Sequence, residues 1–265
     1  MTRRRLDAEL VRRSLARSRE HAVELIAAGR VKVQGSVALK PATQVDEAIS
    51  IAVSSDANDP GYVSRGAHKL AGALDAWPQI HINGKRCLDA GASTGGFTDV
   101  LIRRGASRVV AVDVGYGQLA WSLQSHELVD VVDRTNVRSL TPEIIGGVVD
   151  LVVADLSFIS LTLVLPALIA CANQEADLVV MVKPQFEVGK ADLGSGGVVR
   201  EPALRAQSVG TIADSAVGLG WGISGVRASV LPGPSGNVEY FLWLRKDAGP
   251  LDPADLQKAI EEGPA

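Results

Sequence analysis

Leu88-Asp89-Ala90-Gly91-Ala92-Ser93-Thr94-Gly95-Gly96-Phe97 is the stretch that decides the fold. An apolar run ends in an acidic residue, passes through a glycine-rich turn and enters a helical pattern. Glycines at such a turn let the backbone pass close to a ligand. The pattern is not the dinucleotide fingerprint G-x-G-x-x-G, because position 93 is Ser, and no phosphate-binding lysine follows. About twenty residues on, a second apolar run ends in Asp113, where a carboxylate can accept from a ribose diol. Asn136 follows a third run, within reach of an adenine ring.

Working outward from this turn, strand-like runs occupy 86–90, 108–113, 129–132, 150–155, 178–183, 223–231 and 238–244. Helical patterns between the first five predict βαβ units and a mostly parallel, doubly wound sheet. The last two runs are separated only by Pro232-Gly233-Pro234-Ser235-Gly236-Asn237. That leaves no room for a crossover helix and predicts an antiparallel hairpin. The expected fold class is α/β: a Rossmann-like methyltransferase sheet with a C-terminal antiparallel hairpin. Asp252 is placed to cap a last helix with Pro253 at its first position and Leu251 and Leu256 as a staple.

The amino-terminal region reads differently. Leu6, Leu10 and Val11 share a helical face, and Ser18 is placed to cap a second helix that stops at Gly29. Val31 and Val33 alternate up to a turn at Gln34-Gly35, and Ile49, Ile51 and Val53 alternate later. Ser54 to Gly61 is polar and rich in turn formers. The expected organisation is a small α+β domain over 1–59, a linker over 60–63 and a larger domain over 64–265.

Charge divides the chain in the same way. Net charge is −3, yet residues 1–53 hold ten Lys/Arg against six Asp/Glu, so the remainder carries −7. A basic appendage on an acidic body fits docking on a polyanion. Arg3, Arg4, Arg5, Arg17, Arg19, Arg30 and Lys32 are candidate phosphate contacts, and Arg65 and Arg138 are placed to guide RNA towards the larger domain. Few aromatics interleave with these charges, so shape and backbone readout of folded RNA is expected. Two cysteines, Cys87 and Cys171, and four dispersed histidines suggest neither a disulfide framework nor a metal site. Leu151 to Ala172 is the one stretch long enough to resemble a membrane span, but Asp155, Ser157, Ser160, Thr162 and Pro166 interrupt it, so a strand and a buried helix are expected. No signal peptide is visible and a cytoplasmic location is expected. Trp121 and Trp243 read as core, and Phe158 as core or as a platform for a substrate base.

Four residues carry the chemistry. Asp155 ends Leu151-Val152-Val153-Ala154, Lys183 ends Leu178-Val179-Val180-Met181-Val182, Glu239 lies on the 238–244 run, and Lys69 precedes the first strand of the sheet. Open α/β sheets bind ligands at the carboxyl ends of their parallel strands. A Lys–Asp–Lys–Glu set there can hold and deprotonate a hydroxyl. An acidic strand end before a glycine-rich turn suits S-adenosylmethionine, which has no phosphates. Its expected contacts are Asp89, Gly91, Ala92, Ser93, Thr94, Gly95, Gly96, Phe97, Asp113, Asn136 and Asp155. A ribose hydroxyl is a poor nucleophile and needs a positioned base. Lys183 is expected to serve once burial and Lys69 lower its proton affinity, with Asp155 and Glu239 orienting the ammonium groups. The methyl donor is already activated and needs no metal.

Ser64–Leu70 (SRGAHKL), Leu88–Phe97 (LDAGASTGGF), Val112–Leu119 (VDVGYGQL), Ala154–Ser160 (ADLSFIS), Val182–Gly189 (VKPQFEVG) and Pro232–Tyr240 (PGPSGNVEY) together resemble the TlyA family, hemolysin-like RNA methyltransferases whose catalytic domain is similar to the FtsJ ribose 2′-O-methyltransferases. Arg5-Leu6-Asp7, Ala16-Arg17-Ser18-Arg19, Gly29 to Val33 and Lys40-Pro41 resemble an S-four-type RNA-binding domain. The resemblance implies that Lys69, Asp155, Lys183 and Glu239 form the catalytic tetrad. It implies methylation of a cytidine in 23S rRNA of the 50S subunit, with an effect on sensitivity to cyclic peptide antibiotics. In members with extra terminal residues, such as Met1–Arg5 and Asp252–Ala265 here, it implies 16S rRNA of the 30S subunit as well. Family members carry Arg-x-Trp-Val before SRGAHKL, where this chain has Pro60-Gly61-Tyr62-Val63, a departure at a place implied to couple RNA and cofactor binding. A pore-forming hemolysin, a pseudouridine synthase and a non-catalytic ribosome-assembly factor are the rival readings. The glycine-rich turn argues against the second.

Overall fold

The structure is a computed structural model. It describes the chain apart from residues 1, 2, 14, 17, 18, 55–59, 190, 191, 234 and 265 and the side chain of residue 20. Arg17 and the cap at Ser18 lie outside the described residues. The chain divides into two compact units, Met1–Val63 and Ser64–Ala265.

In the first unit, β1 (Arg4–Arg5) pairs antiparallel with β4 (Gln44–Val45). Helices α1 (Leu6–Arg12) and α2 (Arg19–Ala27) follow β1. Their apolar faces bury Leu6, Leu10, Ala22, Leu25 and Ile26 against Val31 and Val45, as period-3.6 patterning requires. β2 (Val31–Val33) lies between β3 (Ser36–Val37) and β5 (Ile51–Val53), and the Gln34-Gly35 turn joins β2 to β3.

In the second unit, β6 (Arg86–Ala90), β7 (Arg108–Val112), β8 (Val129–Val132), β9 (Val149–Ala154) and β10 (Ala172–Val182) run parallel. β12 (Tyr240–Arg245) pairs antiparallel with β10, and β11 (Gly222–Ala228) forms the expected hairpin on β12. The order is β11-β12-β10-β9-β6-β7-β8. Leu88, Val110, Val152, Leu178, Val180 and Leu242 are each at most 1% exposed, which explains near-continuous apolar runs rather than alternation. Helices α3 (Gly66–Ala76), α4 (Gly96–Arg103), α5 (Trp121–Gln124), α6 (Leu165–Cys171), α7 (Pro184–Glu187), α8 (Pro202–Gly218) and α9 (Pro253–Glu261) complete the unit. The Asp252 carboxylate caps α9 by accepting from the Ala254 N–H at 2.8 Å, and Leu251 and Leu256 pack against the core.

Three local expectations are corrected. The span between β8 and β9 holds a 3-10 turn at Val137–Ser139 rather than an α-helix, since Pro142 and Gly146-Gly147 break the pattern. β10 begins at Ala172, directly after α6, and so starts before the apolar run at 178; a register shift separates its two parts. Glu239 precedes β12 instead of lying within it. The 151–172 stretch is β9, a turn and α6, and among the described residues no helix is long and apolar enough to cross a membrane. Both cysteines are buried and free, and burial pushes the Cys87 thiol up to about 12 and that of Cys171 up to about 11.

Candidate active site

Parallel strands deliver their C-terminal neighbours to one edge. Asp155 follows β9, and its N–H donates to the Ala90 carbonyl at 3.1 Å, tying it to the end of β6. Lys183 follows β10 beside it. Lys183 Nζ lies 2.6 Å from Asp155 Oδ1 and donates to Ser157 Oγ at 3.0 Å. Lys69 comes from α3, far away in sequence, and its Nζ lies 2.5 Å from Glu239 Oε2. Lys69 and Lys183 are each 8% exposed and Glu239 is 1% exposed. Buried charges persist only when paired, and each lysine has its own carboxylate. Gln185, two residues past Lys183, donates to Glu239 Oε1 at 3.5 Å. The expectation that Asp155 and Glu239 orient the two ammonium groups matches these contacts, Asp155 with Lys183 and Glu239 with Lys69.

The glycine-rich turn borders these pairs. A side chain at Gly91 would place its Cβ 2.5 Å from the Asp155 carbonyl, and one at Gly96 would lie 2.8 Å from the Ala67 nitrogen. These two glycines are therefore required by the protein's own packing, of β6 against the 155 turn and of α4 against α3, and not only by a ligand. Asp113 accepts from the Ser93 N–H at 2.8 Å and the Gly115 N–H at 2.7 Å, so it pins the turn to the end of β7. Asp89 is fully buried. Its Oδ2 accepts from Thr98 Oγ1 at 2.6 Å, its Oδ1 has no partner, and burial pushes its pKa up to about 7. Ser93 and Thr94 are exposed, and Ala92 and Gly95 are buried. The Asn136 side chain accepts from the Arg138 N–H at 3.0 Å, which caps the 3-10 turn. Phe97 is 3% exposed with its ring 6.1 Å from that of Phe241.

The aromatic expectations divide. Trp243 is buried and its Nε1 donates to Asp177 at 2.9 Å. Trp121, expected in the core, is 77% exposed, because α5 is a single turn with no continuing apolar face. Phe158 is 91% exposed at φ +63°, with its ring 5.0 Å from Phe186.

In the first unit, Asp7 and Glu9 are buried beneath arginines. Arg5 and Arg19 donate to Asp7 at 2.8 and 3.1 Å, and Arg12 and Arg13 each reach Glu9 at 2.7 Å. These hydrogen bonds hold both carboxyls well below the usual carboxylate range. Arg5 and Arg19 are thus oriented by a carboxylate. Arg3, Arg4 and Lys32 are exposed, as are Arg65 and Arg138 in the second unit, and Arg30 donates to the Ser54 carbonyl at 3.1 Å. The reading from sequence missed Ser157, Gln185 and Glu187 as site residues. Their only signal was proximity to Asp155 and Lys183 in ADLSFIS and VKPQFEVG.

Comparison with known proteins follows this geometry. Residues 62–246 match the model of the FtsJ-like methyltransferases, and residues 4–48 match the S4 domain. The chain is 61% identical, over 99% of both sequences, to the 16S/23S rRNA (cytidine-2′-O)-methyltransferase TlyA of Mycobacterium tuberculosis. It is 35% identical to the 23S rRNA (cytidine-2′-O)-methyltransferase TlyA of Campylobacter jejuni over 70% of this chain and 72% of that one. A solved structure described as a candidate hemolysin from Streptococcus thermophilus superposes with a TM-score of 0.78 at 33% identity, covering 99% of this chain and 96% of the other. With a family model over most of its length and full-length relatives at these identities, the chain belongs to the TlyA family of FtsJ-like methyltransferases.

Proposed function

We propose that this chain methylates the 2′-hydroxyl of a cytidine in 23S rRNA and of one in 16S rRNA, acting on ribosomal subunits in the cytoplasm with S-adenosylmethionine as donor. The observation that carries the reading is the pair of Lys–carboxylate bridges at the carboxyl edge of the sheet, beside the glycine-rich turn. The 16S and 23S targets follow the name of the relative that is 61% identical along the whole chain. Residues 1–59 dock on folded RNA, 60–63 link, and 64–265 perform the chemistry.

The residues of the turn suit the donor. Asp113 has lone pairs beyond its two main-chain bonds for a ribose diol, and the buried, unpartnered Asp89 oxygen adds a further acceptor beneath the turn. S-adenosylmethionine supplies a methyl group already activated by its sulfonium. The protein orients the hydroxyl and removes its proton. Lys183, positioned by Asp155 and Ser157, first releases its own proton to solvent and then, as the neutral amine, takes the hydroxyl proton as the oxygen attacks, and Lys69, fixed by Glu239, stabilises the developing oxyanion. Holding the attacking oxygen in line supplies much of the acceleration.

The test is transfer of labelled methyl from S-adenosylmethionine to unmodified 50S and 30S subunits, with Lys183→Ala beside the parent. The expected result is label on both subunits, mapped to a ribose and lost in the variant. Label on 50S alone removes the dual-target reading. None on either, with the cofactor bound, leaves a binding factor.

A further inference from the structure

The turn after β9 and the segment after β10 are fastened together at successive points. Lys183 reaches Asp155 and Ser157, Phe186 lies against Phe158, and Glu187 accepts from Ser160 Oγ at 2.5 Å and from the Leu161 N–H at 2.9 Å. Three residues of one short segment, Lys183, Phe186 and Glu187, thereby hold the turn 155–161 from both ends. Glu187 is a half-buried acid whose proton affinity is raised by burial, and the two donors it takes from this turn, the Ser160 hydroxyl and the Leu161 N–H, are neutral. Its place in the clamp is therefore structural support for whatever the front of the turn presents.

The front of the turn presents Ser157, which is solvent-exposed while the ammonium it contacts is buried. The form of lysine that accepts a proton is the neutral amine, with two N–H donors and one lone pair, and a serine hydroxyl has one donor and two acceptor sites. Ser157 Oγ takes one donor at 3.0 Å and Asp155 Oδ1 lies 2.6 Å away, which leaves the lone pair for the substrate proton, and the Ser157 proton remains free to point outward. We infer that Ser157, outside the Lys69–Asp155–Lys183–Glu239 set, is a positioning residue that holds Lys183 Nζ in the direction of the substrate oxygen. This rests on the reading of Lys183 given above and extends it by one residue. Asp155 alone fixes the distance of the ammonium; a second, non-collinear partner fixes its direction, and direction is what a proton transfer in a near-attack geometry demands.

The test compares Ser157→Ala and Ser157→Thr with the parent on unmodified ribosomal subunits. Ser157→Ala is expected to lower kcat on the order of tenfold. KM for the subunit, the calorimetric affinity for S-adenosylmethionine and the melting temperature stay at parental values. Ser157→Thr restores the hydroxyl and most of the rate. Nitrogen NMR of the Lys183 ammonium gives a readout independent of turnover: its signal is ordered in the parent and in Ser157→Thr and averaged in Ser157→Ala. A parental kcat in Ser157→Ala, an equal loss in rate and binding, or a threonine variant as slow as the alanine one overturns the inference. If Lys183→Ala itself keeps the parental rate, the reading of Lys183 fails first, and that result is distinguishable because it does not involve Ser157.

Discussion

The two ends of the central sheet each carry a buried lysine–carboxylate contact, and the contrast shows how little the pair alone says about function. Toward the amino ends, Asp177 accepts from Lys85 at 2.9 Å through one oxygen and from Trp243 Nε1 at 2.9 Å through the other, with Arg245 3.9 Å away. Both carboxylate oxygens are occupied, by Lys85 just before β6 and by Trp243 on β12, and the group staples β10 to β12. At the carboxyl ends, Lys183 and Lys69 are paired equally closely, but an exposed serine shares one of them and a glycine-rich turn borders the site. A carboxylate with both oxygens engaged is structural; a pair whose lysine is shared with an exposed hydroxyl beside a glycine-rich turn can act on a ligand.

The largest expected effects separate these two ends. Lys183→Ala lowers methyl transfer on the order of 10³-fold while costing about 1–2 kcal/mol of stability, because Asp155 keeps access to water. Asp177→Ala does the reverse. It leaves a buried indole N–H unpartnered and a lysine uncompensated, costs about 3 kcal/mol and lowers the melting temperature on the order of 10 °C, with kcat per folded molecule unchanged. Paired melting curves and methyl-transfer assays read both. A drop in kcat for Asp177→Ala as large as that for Lys183→Ala would erase the distinction between the ends.

Asp89 sharpens the comparison through pH. Its folded pKa, near 7, is above the ordinary carboxylate value, so the native state holds a proton that the unfolded chain has released. Its destabilisation is absent below the ordinary range, grows as pH rises towards about 7 and is complete above it, on the order of a few kcal/mol. Asp89→Asn is expected to remove that decline, seen as a urea midpoint that changes less than the parent's between about pH 5 and about pH 8.

Gly96→Ala is expected to cost about 1–3 kcal/mol by pushing α4 from α3. Because α3 carries Lys69, kcat should fall with it. A loss confined to cofactor affinity would show instead that the glycine serves the ligand directly.

The smallest effect concerns the basic unit. Arg19→Ala is expected to leave the urea midpoint unchanged and to reduce the salt dependence of rRNA binding by about one unit of slope. An unchanged slope would mean that Asp7 claims this charge entirely.

Legibility followed the range of the interactions. The doubly wound sheet, the hairpin, the α9 cap and the two-part charge were readable because each depends on a local pattern: apolar runs, turn residues and capping side chains. Strand ends at Asp155 and Lys183 were readable for the same reason, since a parallel sheet delivers them to one edge whatever surrounds them. Trp121 and the 133–148 span were misread because their fate depends on whether a neighbouring element covers them.

By itself, then, the sequence determined the architecture, the glycine-rich turn and which charged residues reach the carboxyl edge, through periodicity and turn chemistry that act over a few residues. Only the tertiary structure decided how those charges pair: Lys69 with a glutamate far along the chain, Lys183 with Asp155 and Ser157, and Asp177 saturated at the opposite end. Pairing is settled by which side chains burial forces together, and desolvation makes an unpartnered charge there too costly to leave to chance.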